Sequence, residues 1–86
     1  MTKKELNIIK EKFNEAWQEL LKHEISLLEN GESLERNEYR MNLIFAQTTI
    51  SDLVRALGLP NLELMDEQTD KLINDVYTLK RNREAV

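Results

Sequence analysis

Apolar residues recur along this chain with the period of an α-helix, in three blocks separated by short breaks. In the first block Leu6, Ile9, Phe13, Ala16, Trp17, Leu20, Leu27 and Leu28 form one stripe, widened near its end by Leu21 and Ile25. Thr2 and Glu5 have the spacing of a capping box at its start, and Asn30-Gly31 tolerate the left-handed conformation that closes a helix. The pattern predicts a first helix over about 3–30, roughly 40 Å long at 1.5 Å per residue.

The second block is the most apolar and carries no charge between Arg40 and Asp52. Tyr39, Leu43, Ala46, Ile50, Leu53, Val54 and Leu57 share one helix face, while Met41, Ile44 and Phe45 lie on the opposite side. A helix apolar on two sides must be covered on two sides, so this stretch is predicted to be the central helix, over about 34–57. Ser33 is its expected N-cap, and Gly58-Leu59-Pro60 its stop. The third block, with Leu62, Met65, Thr69, Leu72, Ile73, Val76 and Leu79 on one face, predicts a helix over about 62–81 starting near Asn61 or Asp66, with a frayed tail at 82–86.

Short connections make consecutive helices antiparallel neighbours, so the expected fold is all-α: residues 1–86 as a single domain, an antiparallel three-helix bundle built from a long αα-hairpin plus a shorter third helix. The third helix is expected beside the second and parallel to the first. Turning the chain at a two- or three-residue loop sets a register in which facing positions sum to about 63. Leu6 then meets Leu57, Ile9 meets Val54, Phe13 meets Ile50, Trp17 meets Ala46 and Leu20 meets Leu43. Large side chains face small ones, as close packing requires. The same register sets Glu24, in mid-stripe, near Tyr39 and Arg40, partners for a half-buried carboxylate.

A third helix counted back from the Gly58 turn reaches only about as far as Arg40, which leaves Ile25, Leu27, Leu28 and Leu34 at the hairpin tip without a cover unless the C-terminal tail folds over them. Uncovered apolar surface on a small protein marks an interface. The tip, together with Met41, Ile44 and Phe45, is therefore the expected partner-binding surface, and a homodimer is its expected product. At 86 residues a single core only just outweighs chain entropy, so association is plausible on size alone.

Composition narrows the chemistry. A formal charge of −4 disfavours nucleic acid and anionic membrane as partners, because both require a basic face. The absence of cysteine removes disulfides, a thiolate nucleophile and Cys-ligated metal, and suits a reducing, cytoplasmic address. No apolar run is long enough for a transmembrane span or a signal-peptide core. The row Glu11, Glu15, Glu19 lies off the apolar stripe as a solvated face, or as a steering surface for a basic partner.

Three constellations invite a catalytic or nucleic-acid reading. The segment 49–65 has the outline of a helix-turn-helix, but the helix after Pro60 would begin with Glu63, Asp66, Glu67 and Asp70, which repel phosphate. Glu35-x-x-Glu38 and Glu63-x-x-Asp66 resemble the carboxylate pairs with which all-α nucleotide pyrophosphohydrolases hold Mg²⁺, yet antiparallel packing sets them at opposite ends of the bundle. His23 is the only histidine, paired at helical spacing with Glu19 alone, so it is read as a rim residue and neither a metal site nor a hydrolytic triad follows. Phe13, Trp17 and Tyr39 fall on the seam and are read as core. The expected function is thus non-catalytic and cofactor-free: a small adaptor, inhibitor or antitoxin-like regulator, of a Lys-, Glu-, Asn- and Ile-rich composition that suits a phage or mobile element, that binds a protein partner through helix faces. A DNA-binding regulator and a Mg²⁺-dependent nucleotide hydrolase are the alternatives.

Overall fold

The structure, a computed structural model, describes residues 1–35 and 37–84, and Leu62 through its backbone alone. Expectations for Arg36, for the Leu62 side chain and for the last two residues of the tail lie outside the described residues. The fold is all-α, a bundle of three long helices: α1 (Lys3–Glu29), α2 (Glu38–Ala56), a single turn α3 (Asn61–Leu64) and α4 (Glu67–Glu84). No helix among the described residues is long and apolar enough to cross a membrane.

α1 starts at the capping box: the Thr2 hydroxyl accepts the Glu5 N–H, and the Glu5 carboxylate accepts the Thr2 N–H. α1 and α2 end in the same way. Gly31 (φ 69°) and Gly58 (φ 73°) take the left-handed conformation. Glu32 N–H bonds back to the Leu27 carbonyl at 2.8 Å, and Leu59 N–H to that of Val54 at 3.0 Å. Both ends are Schellman closures, and at the second the apolar pair Val54 and Leu59 also joins the core.

α2 begins at Glu38, not near residue 34. Ser33 turns its hydroxyl onto the Glu35 N–H, closing a local turn, and Asn37 is the N-cap instead, accepting the Arg40 N–H at 2.9 Å. The connection is accordingly 30–37, longer than expected. The antiparallel hairpin register survives this change: Glu24 meets Arg40, His23 meets Tyr39, and Ile9, Phe13, Ile50 and Val54 share one cluster with Leu64. It fails at two pairs. Leu57 and Ala46 are exposed, and Leu6 packs in the cluster that holds Leu59 and Leu64.

The larger correction concerns which helix is central. α4 packs against α1 and not against α2; among the described residues α2 and α4 make no backbone approach within 8 Å. α1 therefore occupies the centre and buries two faces. Phe13 packs with Val54 of α2, while Leu21 and Leu28 pack with Val76 of α4. The third helix runs parallel to α1, as expected, but on α1 and not beside α2.

α4 also starts further along α1 than a count from the Gly58 turn allows. α3 and the Met65-Asp66 break carry the chain past Asn14 before α4 begins, so that its far end reaches the hairpin tip. There Arg83 donates to the Leu28 carbonyl at 3.2 Å and to the Glu32 carbonyl at 3.0 Å. α1 has no basic residue in its last turn, and Arg83 supplies that charge from another helix. The helix persists through Glu84 where fraying was expected from residue 82.

Candidate functional site

Polar groups fix α4 on α1. Asn14, 4% exposed, saturates its amide: Nδ2 donates to the carbonyls of Lys10 (2.8 Å) and Leu64 (2.9 Å), and Oδ1 accepts the Asp66 N–H and the Thr69 hydroxyl, both at 2.9 Å. Gln18 donates to the Thr69 hydroxyl at 2.9 Å. Asp66, directly before α4, accepts the Thr69 N–H at 2.8 Å. That bond, opposed by partial desolvation and helped by the Thr69 and Gln18 side chains and by Lys10, lowers the Asp66 pKa from its ordinary value. In the Asn14 network Asn14 and Asp66 hold backbone groups, and Gln18 and Thr69 hold those two side chains, so its polar atoms are engaged in fixing α4 on α1.

Glu24, 5% exposed, receives Arg40 from α2 at 3.4 Å and Lys80 from α4 at 3.7 Å. Of the two expected partners, Arg40 is the one that pairs, Tyr39 packs on His23 instead, and Lys80 is additional. Arg40 also donates to the Leu34 carbonyl at 3.1 Å, which holds the interhelical loop down. His23 bonds Asn37 Oδ1 at 3.3 Å and meets the Tyr39 ring edge-on at 4.8 Å, so it helps fix the start of α2.

The expected partner surface divides. At the hairpin tip Leu27 and Leu28 are buried, and Ile25 and Leu34 are half-buried in the cluster formed with Val76, Leu72, Ile73 and Leu79. The premise that the tip is uncovered is therefore wrong, because α4 lies over it. Met41 and Phe45 do stand in solvent, Phe45 at 62% exposure, with Ile44 half-buried beside them. Leu53 and Leu57, assigned to the core side by sequence, are exposed as well. Met41 and Phe45, on the side of α2 away from α1, are open because α4 does not cover α2. Glu11, Glu15 and Glu19 are solvated, and Glu15 pairs with Lys12 at 3.4 Å.

The other constellations take these positions. After Gly58 the chain forms one turn, Asn61–Leu64, and breaks before Glu67, so the turn is not followed by a continuous helix. Among the described residues no three His, Cys, Asp or Glu side chains converge, and the two carboxylate pairs are not brought together. Phe13 is fully buried, Trp17 is half-buried between the two clusters, and Tyr39 is exposed, so the three aromatic rings form no common core group. Compared with protein-family models, curated proteins and solved structures, the chain matches none.

Proposed function

We propose that this chain is a non-catalytic protein-binding protein whose contact surface is the outer face of α2, in the manner of a small adaptor, inhibitor or antitoxin-like regulator. One observation carries the reading: Met41 and Phe45 stand exposed on a stretch of α2 without charge from Met41 to Ser51, and Leu53 and Leu57 are exposed further along the same helix, beside Asp52 and Arg55. Leaving such a surface in water costs about 25 cal/mol for each Å² of apolar area, and a covering partner recovers that free energy. The lack of basic residues on this stretch favours protein over nucleic acid.

The test uses the full chain as bait in extract of its source cells, beside a Phe45→Glu, Leu53→Glu double variant of unchanged helicity. A partner held by the wild type, whether another protein or further copies of the chain, and released by the variant is the expected result. Equal retention by both, or retention of nothing, sinks the proposal.

A further inference from the structure

We propose that the cleft over α1 between α2 and α4 binds a small apolar carboxylic acid as its anion, a site separate from the outer face of α2. The cleft follows from where the two helices lie on α1. At about 100° per residue, the α1 side chains that meet α2, from His23 through Phe13 to Glu24, are centred about 130° around the helix from those that meet α4, from Leu28 through Leu21 to Gln18. Helices at one distance from a common neighbour touch each other when they are about 60° apart around it, so a strip of α1 stays open between α2 and α4.

The strip is bounded at both ends. The α3 turn brings Leu64 onto Asn14 at one, and at the other Leu34, held by Arg40, packs into the Val76 cluster. Between them lies a cleft of about 260 Å³, with Trp17 and Leu21 as its floor, Ile73 and Tyr77 along α4, and Glu24 with Lys80 toward the hairpin tip. From Trp17 to Glu24 it runs two turns of α1, about 10 Å. Small-molecule sites between helices are mostly apolar, with a few polar groups that fix orientation, and hold about 300–1,000 Å³. A closed cleft at the lower end of that range seats a small molecule, whereas a protein partner needs a face of roughly 800 Å².

Charge at the hairpin end selects an anion. The Glu24 carboxylate faces two cations, Arg40 at 3.4 Å and Lys80 at 3.7 Å, and Arg81 adds a third at the rim, 5.8 Å from the centre of the Tyr77 ring. Arg40 alone matches the charge of Glu24, and its buried Nε has no acceptor among the described residues. Lys80, its side chain 45% exposed, is the cation with N–H groups left to donate into the cleft. The chain as a whole carries −4, so an anion is held by this local excess and not drawn in by the net field.

Trp17 is the only tryptophan in the chain and lines the cleft, so its emission reports occupancy directly. The probe is 4-phenylbutyrate, with 4-phenylbutyramide as its neutral counterpart, each titrated into the full chain. The acid should change Trp17 emission saturably with a Kd on the order of 1 mM, as befits a ligand of about twelve non-hydrogen atoms. The amide should bind about tenfold more weakly, for want of a charge-assisted bond. Lys80→Gln should bring the acid down to the affinity of the amide with unchanged helicity by circular dichroism, since Arg40 still pairs with Glu24, and Lys80→Arg should preserve binding. Lys12→Gln, on the outer side of α1, should leave the affinity of the acid unchanged. No saturable response, equal affinity for acid and amide, an acid indifferent to Lys80→Gln, or equal loss in Lys80→Gln and Lys12→Gln overturns the inference.

Discussion

Replacing Asn14 by alanine tests the account of how α4 is held. Its amide lies 4% exposed on α1 and serves three groups outside its own helix: the Leu64 carbonyl, the Asp66 N–H and the Thr69 hydroxyl. Each buried polar group stripped of its partner costs about 1–3 kcal/mol. The Thr69 hydroxyl keeps the bond it accepts from Gln18 but loses its acceptor, and water entering the vacated volume satisfies part of what is stranded, so Asn14→Ala should cost about 3 kcal/mol. For a domain of this size that lowers Tm by about 12–24 °C. Urea and thermal unfolding followed by circular dichroism give the loss, and the exposed Glu15→Ala sets the baseline, at most about 0.5 kcal/mol. Asn14→Leu fills the space yet strands the same partners, so it should fall by a comparable amount. A loss below about 1 kcal/mol in Asn14→Ala, or a recovery in Asn14→Leu, would refute the argument, because packing alone would then explain the site.

Two further outcomes follow from the same packing. Leu28→Glu buries a carboxylate between Leu21 and Val76 and should cost at least about 3 kcal/mol in equilibrium unfolding; a neutral result would return the hairpin tip to the surface. Asp66 has a lowered pKa in the folded chain, so its contribution is fully present above the ordinary carboxylate value of about 4 and is lost as pH falls through the lowered one. Stability measured from neutral pH downward should drop less in Asp66→Asn than in the wild type over that acid range, and parallel profiles would show that the charge is idle.

Sequence carried the helices and their closures, because capping residues and apolar periodicity are local signals. Thr2, Glu5, Gly31 and Gly58 act as expected. The hairpin register was legible from apolar positions facing one another at Ile9, Phe13, Ile50 and Val54, and Glu24 found Arg40, while the large-against-small match of Trp17 with Ala46 did not form. What sequence did not reveal was the centre of the bundle. The apolar richness of 39–57 suggested a helix covered on both sides, yet α1 is the doubly covered one, and it disguises its second face with polar residues. Asn14 and Gln18 interrupt the apolar stripe but are the groups that receive α4, and Thr69, read as an apolar-face residue, is wholly buried as their polar partner. Buried amides look like surface in a hydropathy pattern. The Met41 and Phe45 half of the candidate surface was readable from its lack of a partner face. The tip half was not, because the offset of α4 depends on α3 and on an Arg83 contact between residues far apart in sequence.

The arrangement of α2 and α4 on separate faces of α1 divides the molecule's cohesion unevenly. Because no backbone approach joins those two helices among the described residues, a fluctuation that lifts α2 breaks the Phe13 cluster and the Arg40 contact to Glu24, but leaves the Asn14 network and the Val76 cluster intact. Lys80 still neutralises Glu24 when Arg40 departs. The middle third of the chain can thus open as a unit while the first and last thirds stay docked, the behaviour of a partially independent folding unit.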